Sequence, residues 1–224
     1  MKKVSLVLSV LFVALFVAGC TKKATPAVVD TTTTADNNQQ VAVADLVPSD
    51  EIPADAFIGL QIDAAASSIE WTGTKVTGLH TGTVAIKSGV LRTDPEGVLV
   101  DGGVTADMTT ITSDTEAVTK HLMSEDFFNV PEFPTSMLKI TKVVPTGTDN
   151  EYTATAELTI KGITNIITFP LTWAADGDVY RGSARFDIDR TLWDIRYGSL
   201  KFFSDLADKA INDMIQFQVN IVTK

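Results

Sequence analysis

From Ile58 onward the apolar residues recur every second position, and this period fixes the fold class before anything else does. Tyr152, Ala154, Ala156, Leu158 and Ile160 share one parity, and Thr153, Thr155, Glu157, Thr159 and Lys161 share the other. Ile167, Phe169, Leu171 and Trp173 alternate with Thr168, Pro170 and Thr172. The same beat runs through Tyr180–Asp189 and Ile215–Ile221, and the reading places Val98, Val100, Val104, Ala106 and Met108 on one face. Successive side chains of a strand point to opposite faces, so such alternation describes strands with one dry and one wet side. Asp94-Pro95-Glu96-Gly97, Pro145–Asn150, Lys161-Gly162 and Ala175–Asp178 are turn sequences that separate about eight strands. Short turns between sequential strands impose antiparallel pairing. Eight such strands close most simply into a barrel, which leaves no sticky edge. Two stretches depart from the pattern. Ser113–Leu122 opens with capping and acidic residues and reads as a helix, and Ser204–Ala210 reads as a second short one.

The segment before the strands has a different character. Met1-Lys2-Lys3 is basic, and Val4–Val17 is apolar except for Ser5 and Ser9. That run is too short for a permanent span, which needs ~20 residues, and matches the plan of a secretory signal. It exits through Val17-Ala18-Gly19-Cys20, which resembles the bacterial lipobox, with Cys20 as the lipidated residue. Two or three acyl chains anchor a protein stably to a membrane. Residues 1–19 are therefore read as a lipoprotein signal peptide, 20–56 as lipidated Cys20 plus a flexible linker, and 57–224 as the folded domain. Thr21, rather than Asp, behind Cys20 points to the outer membrane of a bacterial cell envelope, with the domain in the periplasm or at the cell surface. The linker holds Thr31–Thr34 and Asn37-Asn38-Gln39-Gln40, has no apolar period, and reads as disordered.

Cys20 is the one cysteine, so disulfides, a thiolate nucleophile and a cysteine-based metal site are excluded from the domain. A net charge of −10 argues against nucleic acid as a partner. The two histidines, His80 and His121, have no metal-ligand spacing, and no GxSxG elbow accompanies them. The reading is of a protein that is not an enzyme and holds no metal.

Several blocks in order carry a resemblance. They are Ser68–Trp71, Leu79–Thr83, Ala106–Thr109, Lys120–Phe128 with its His-Leu-x-Ser-x-Asp-Phe-Phe run, Phe133-Pro134, Leu158–Thr164 and Phe186–Arg190. Together they resemble the YceI-like family of polyisoprenoid-binding, lipocalin-like periplasmic proteins, from about Phe57 to Thr223. The resemblance implies an all-β, eight-stranded antiparallel lipocalin-like barrel with one or two short helices. It also implies an apolar tunnel for an isoprenoid lipid or quinone tail, with no other cofactor. The partners would be that apolar lipid and, through the anchor, the membrane.

The inward parity nominates Trp71, Val84, Ile86, Ile140, Leu158, Ile160, Phe169, Phe186, Phe217 and Val219 as ligand-lining residues. A solid core made of the same side chains is the alternative, and it would leave a structural or protein-interaction domain. Alternation does not separate the two, since both need an apolar interior. Phe127, Phe128 and Phe133 form either a mouth over one barrel end or an ordinary plug. Asp189 and Arg190 end a strand, as a headgroup contact or as a structural turn.

Overall fold

The computed structural model describes residues 56–224. The signal, Cys20 and nearly all of the linker lie outside the described residues. Nine strands follow one another: β1 (Ile58–Gln61), β2 (Ser68–Lys75), β3 (Gly78–Thr93), β4 (Leu99–Asp107), β5 (Thr135–Pro145), β6 (Glu151–Ile160), β7 (Ile163–Asp176), β8 (Val179–Asp189) and β9 (Ile211–Val222). One α-helix, α1 (Glu116–Met123), bridges β4 and β5. Every pairing is antiparallel, and the order β3-β2-β9-β8-β7-β6-β5-β4 closes through pairing of β3 with β4.

The barrel has eight lanes although it has nine strands. β3 pairs at Val90–Thr93 with β1 and at Gly78–Val84 with β2, so β1 and β2 are two pieces of one lane. The interruption between them is held by Asp63, whose carboxylate accepts from Ala65 and Ala66 N–H at 3.0 and 3.2 Å. Lys161 (φ 50°) and Gly162 (φ 72°) form the two-residue turn of the β6–β7 hairpin, closed by the pair Ile160–Ile163. Two positive φ values are the geometry that matches strand twist.

Register shifts at Lys87 in β3, Val100 in β4 and Thr141 in β5 bend the wall, as bulges do. The shift at Val100 corrects the sequence reading of β4. Leu99 is the buried residue there, 2 % exposed, rather than Val98 or Val100. One extra residue in a strand turns everything beyond it to the other face.

The helix expected at Ser113–Leu122 starts three residues later. Thr115 is its N-cap, its hydroxyl accepting from Val118 N–H at 3.4 Å. The second expected helix, Ser204–Ala210, is a single 3₁₀ turn at Ala207–Lys209 with no side-chain cap. The stretch has neither an apolar stripe nor a partner face long enough to support a longer helix, which draws most of its stability from packing. Among the described residues no helix is long and apolar enough to cross a membrane.

Two core clusters lie inside the barrel, one toward each end. At the end carrying the β3–β4 and β7–β8 turns, Trp173 stacks on Tyr180 (5.2 Å, 7°) and donates from Nε1 to the Gly97 carbonyl at 3.0 Å. At the opposite end α1, Phe127, Phe128, Trp193 and Ile195 lie across the opening. Trp193 is fully buried and donates from Nε1 to the Leu158 carbonyl at 3.0 Å.

Candidate functional site

The half of the barrel beneath α1 is hollow. A cavity of about 310 Å³ is walled by side chains from β2, β3, β4, β5, β6, β8 and β9 and roofed by Ile111, Val118, Leu122, Phe127 and Phe128. The far half contains a smaller space of about 60 Å³. Phe169, Phe186 and Phe217 stand between them in a stacked row, with centroids 4.8 and 5.8 Å apart. Phe186 and Phe217 face the larger cavity and Phe169 the smaller, so the row forms a floor.

Of the residues nominated from parity, Trp71, Val84, Leu158, Ile160, Phe186, Phe217 and Val219 line the larger cavity. Ile140 and Phe169 line the smaller one, and Ile86 lines neither, being buried in the far core cluster. Parity tells which side of the wall a residue faces but not its height along the axis. Phe127 and Phe128 are buried in the roof. Phe133 is half-buried outside the cavity and lies against the β6–β7 turn, where a Cβ on Gly162 would come within 3.2 Å of its ring. Lining residues beyond the ten nominated include Ile69, Ala106, Met108, Leu138 and Ile215, with Ile111, Val118 and Leu122 from the β4–β5 connection. The strand residues share the inward parity and were legible in principle. The three from the connection were not.

Trp71 is fixed in the wall by its indole N–H, which donates to the Thr112 carbonyl at 3.1 Å. Thr112 continues the β4 lane along β3, its N–H donating to Thr83 O at 2.9 Å. Gly82 makes this approach possible. A Cβ there would fall 1.8 Å from Thr112 O and 2.7 Å from Trp71 Nε1. Gly82→Ala is therefore expected to displace the Thr112 strand and free the indole, at a cost of about 1–3 kcal/mol or more. Urea unfolding reads the loss, and a red-shifted tryptophan emission reads the freed indole.

The polar groups of the cavity gather at its α1 end. Thr74 and Lys75 of β2, His80 of β3, His121 of α1 and Asn212 of β9 line it there. The β2–β9 ladder is loosened at this level. Gly73 pairs with Ile215 and Lys75 with Ile211, which sets Thr74 against three β9 residues. His80 Nδ1 lies 2.8 Å from Asp114 Oδ1, and His121 Nε2 lies 2.9 Å from Asp126 Oδ2. His121 also meets the rings of Phe127 and Tyr197 edge-on at 4.9 and 4.6 Å. Each imidazole is thus tied to a carboxylate rather than converging with the other. Among the described residues no group of three or more potential metal ligands occurs.

Asp189 caps the 3₁₀ turn Arg190–Trp193, accepting from Thr191 N–H at 3.0 Å and from its hydroxyl at 2.6 Å, and it pairs with Lys201. Arg190 is 1 % exposed. Its Nε donates to Asn212 O at 3.1 Å, Nη1 to Ile195 O at 2.8 Å, and Nη2 to Ile211 O at 3.3 Å and Asp213 Oδ1 at 3.5 Å. Burial pushes this guanidinium below its ordinary pKa, against the pull of Asp213 and Asp189. Its edge reaches the cavity, but its donors are largely engaged by the chain itself.

Among the described residues three carboxyls have depressed pKa values, and their sign sets an acid limit. Thr109 holds Asp107 down through hydrogen bonds. The Ser113 hydroxyl, then His80, hold Asp114 down. Burial works to raise Asp189, but hydrogen bonds from Lys201 and Thr191 and the Lys201 charge leave it lowered. A depressed carboxyl stabilises the fold above its unfolded pKa of about 3.9, and that stabilisation disappears as pH falls through the folded value. Stability is expected to drop below about pH 4, less steeply in Asp189→Asn. Thermal unfolding between neutral and strongly acid pH measures this, and a flat profile would remove it.

The fold and the cavity define a closed, partly hollow antiparallel β-barrel. The YceI-like domain model matches residues 60–223, and the chain belongs to that family. Among solved structures, BcnA of Burkholderia cenocepacia superposes with a TM-score of 0.62 at 22 % identity, covering 73 % of this chain and 99 % of that one. A polyisoprenoid binding domain from Saccharophagus degradans gives 0.56 at 13 %, covering 75 % and 98 %. The Campylobacter jejuni YCEI protein gives 0.51 at 19 %, covering 61 % and 80 %. At these identities the likeness is one of fold. No curated protein matches the chain.

Proposed function

We propose that this chain is a membrane-tethered lipid-binding protein, which holds an isoprenoid-like or other long apolar tail inside its barrel in the bacterial cell envelope. The observation that carries this reading is the apolar cavity of about 310 Å³ beneath α1. Family membership supports it, as does the shared fold of the Saccharophagus polyisoprenoid binding domain. A quinone tail or a carrier lipid has suitable chemistry. Each 100 Å² of tail removed from water contributes about 2.5 kcal/mol before the cost of immobilisation.

The volume sets a limit on the ligand. Ligand pockets run from about 300 to 1,000 Å³, so this one is at the small end. A short tail fits as the barrel stands, while a long one requires the row of Phe169, Phe186 and Phe217 to part. The signal sequence, Cys20 and Thr21 support anchoring at the outer membrane, and the reading assigns the protein no catalytic step. Native mass spectrometry and organic extraction of the protein purified from the envelope fraction test the reading. A co-purified apolar lipid is expected, and a chain that neither carries one nor takes up an added quinone or isoprenoid would defeat it.

A further inference from the structure

Six of the large apolar side chains left exposed on this barrel gather around the cavity's polar end. Val76 sits on the β2–β3 turn and Leu79 at the start of β3, 71 % and 57 % exposed. Tyr197, Leu200, Phe202 and Phe203 sit on the β8–β9 connection, 44 to 62 % exposed. The two segments adjoin, since Val76 N–H donates to Ala210 O at 3.4 Å and Ile211 N–H to Gly198 O at 2.8 Å. They also border the opening. Tyr197 packs on His121, and Lys75 and His80 flank the turn; all three of these partners line the cavity. Two adjacent phenyl rings and a leucine standing in water are not a folding requirement of the barrel, whose cores lie elsewhere. A contiguous exposed apolar patch marks an interaction site.

The side-chain chemistry of the patch, exposed phenyl rings and a leucine with cations beside them, names the occupant. The whole chain carries −10, yet no Asp or Glu occurs from Trp71 to Lys87 or from Ile195 to Ser204. Those segments present Lys75, Arg196 and Lys201 instead: Arg196 pairs with Asp194 and lies over the Phe202 ring at 4.7 Å, Lys201 pairs with Asp189 and Asp213, and Lys75 stands beside them at the end of β2. Asp205 is the first carboxylate beyond Phe203. Exposed aromatic and aliphatic side chains among basic groups are the chemistry of the bilayer interface, where rings enter the headgroup layer and cations meet lipid phosphates. We propose that this end of the barrel docks on a phospholipid surface. The cavity opening then faces the bilayer, and the loosened β2–β9 lane beside Thr74 forms the edge that a tail crosses. The inference rests on the lipid-binding reading for its purpose, but its test needs only the surface. β1 begins at the other end of the barrel, where Ile58 pairs with Thr93. About 35 residues separate Cys20 from Ala56, a reach of up to about 120 Å, enough for an anchored chain to present this end.

The barrel can be tested without its anchor. It closes its own hydrogen-bond ladder, holds both its cores, and two solved relatives are matched over 99 % and 98 % of their chains by this domain. Residues 56–224 contain no cysteine, so Phe203→Cys and, at the opposite end, Thr148→Cys each accept a single environment-sensitive dye. The labelled proteins are mixed with unilamellar vesicles of phosphatidylcholine and phosphatidylglycerol whose acyl chains are brominated. Quenching of the Phe203 dye at least threefold stronger than that of the Thr148 dye is expected. Leu200→Asp with Phe202→Asp, both at exposed positions, should lower the vesicle-bound fraction about tenfold with unchanged circular dichroism. A Phe203 dye untouched by vesicles, or equal quenching at both ends, overturns the proposal and leaves the face to a protein partner. A chain that docks in this way yet yields no lipid on extraction would separate the two readings, removing the cargo and keeping the surface.

Discussion

Arg190→Ala is expected to destabilise the barrel by about 3–5 kcal/mol, among the largest single-residue effects in the molecule. The guanidinium reaches the carbonyls of Ile195, Ile211 and Asn212 together, and it lies beside Asp213. Removing it strands the buried Ile195 carbonyl, at about 1–3 kcal/mol where water cannot enter, takes a donor from the part-buried Ile211 and Asn212 carbonyls, and leaves the mostly buried Asp213 with Lys201 alone, at 3.6 Å. Because the three carbonyls lie on the β8–β9 connection and the first residues of β9, the damage should concentrate there. Arg190→Lys keeps the charge but offers a single compact ammonium in place of a fork, so it should recover less than half of the loss. Urea unfolding of the three proteins gives the ranking. A lysine variant as stable as the parent would show that charge, not the planar set of donors, is what the site requires. A ligand-contact role alone predicts the opposite pattern, with stability unchanged and binding lost.

Filling the cavity should abolish tail binding while leaving the barrel intact. Ala106 of β4 points into the larger cavity from the wall. Ala106→Trp places an indole in a space of about 310 Å³. Small-to-large changes in a packed core usually cost about 1–3 kcal/mol, but here the added atoms enter unoccupied volume and gain contacts. The expected result is a binding loss of more than tenfold for an added quinone or isoprenoid, with a Tm equal to or above that of the parent. Fluorescence titration and thermal unfolding read the two quantities separately. If the variant binds as well as the parent, the ligand does not occupy this cavity. If it unfolds like an over-packed core, this half of the barrel is less open than its geometry implies.

Much of the barrel was legible because a strand in a one-sided wall must alternate. β6, with Ala154, Ala156, Leu158 and Ile160 all buried, follows the rule without exception. The turn at Lys161-Gly162 was equally plain, since two left-handed residues between strands leave few alternatives. The failures share one cause. At Val100 the period is broken by a bulge whose position depends on how β3 lies beside β4; Gly102-Gly103 close behind it hint at an irregularity but not at its place. Ser204–Ala210 has helical composition, yet it is held as part of a connection pinned at Gly198 and Ile211. Arg190 read as a strand-end charge, and its burial follows from the Ile195 carbonyl close in the chain together with two, of Ile211 and Asn212, that come to it from distant positions.

The local code was therefore written in the chain itself: strand against turn, inside against outside, and antiparallel order. These depend on neighbours one to four residues apart, which a linear polymer specifies directly. Height along the barrel axis, the bulges, and the difference between the hollow half and the filled half arise only when the wall closes. They depend on which side chains meet across eight lanes. Ile86 and Val84 carry the same pattern two residues apart, but only Val84 faces the cavity, because the floor of stacked phenyl rings crosses the barrel near that level. Whether an apolar interior holds a space is a matter of summed volumes against a closed wall, and no single strand contains that sum.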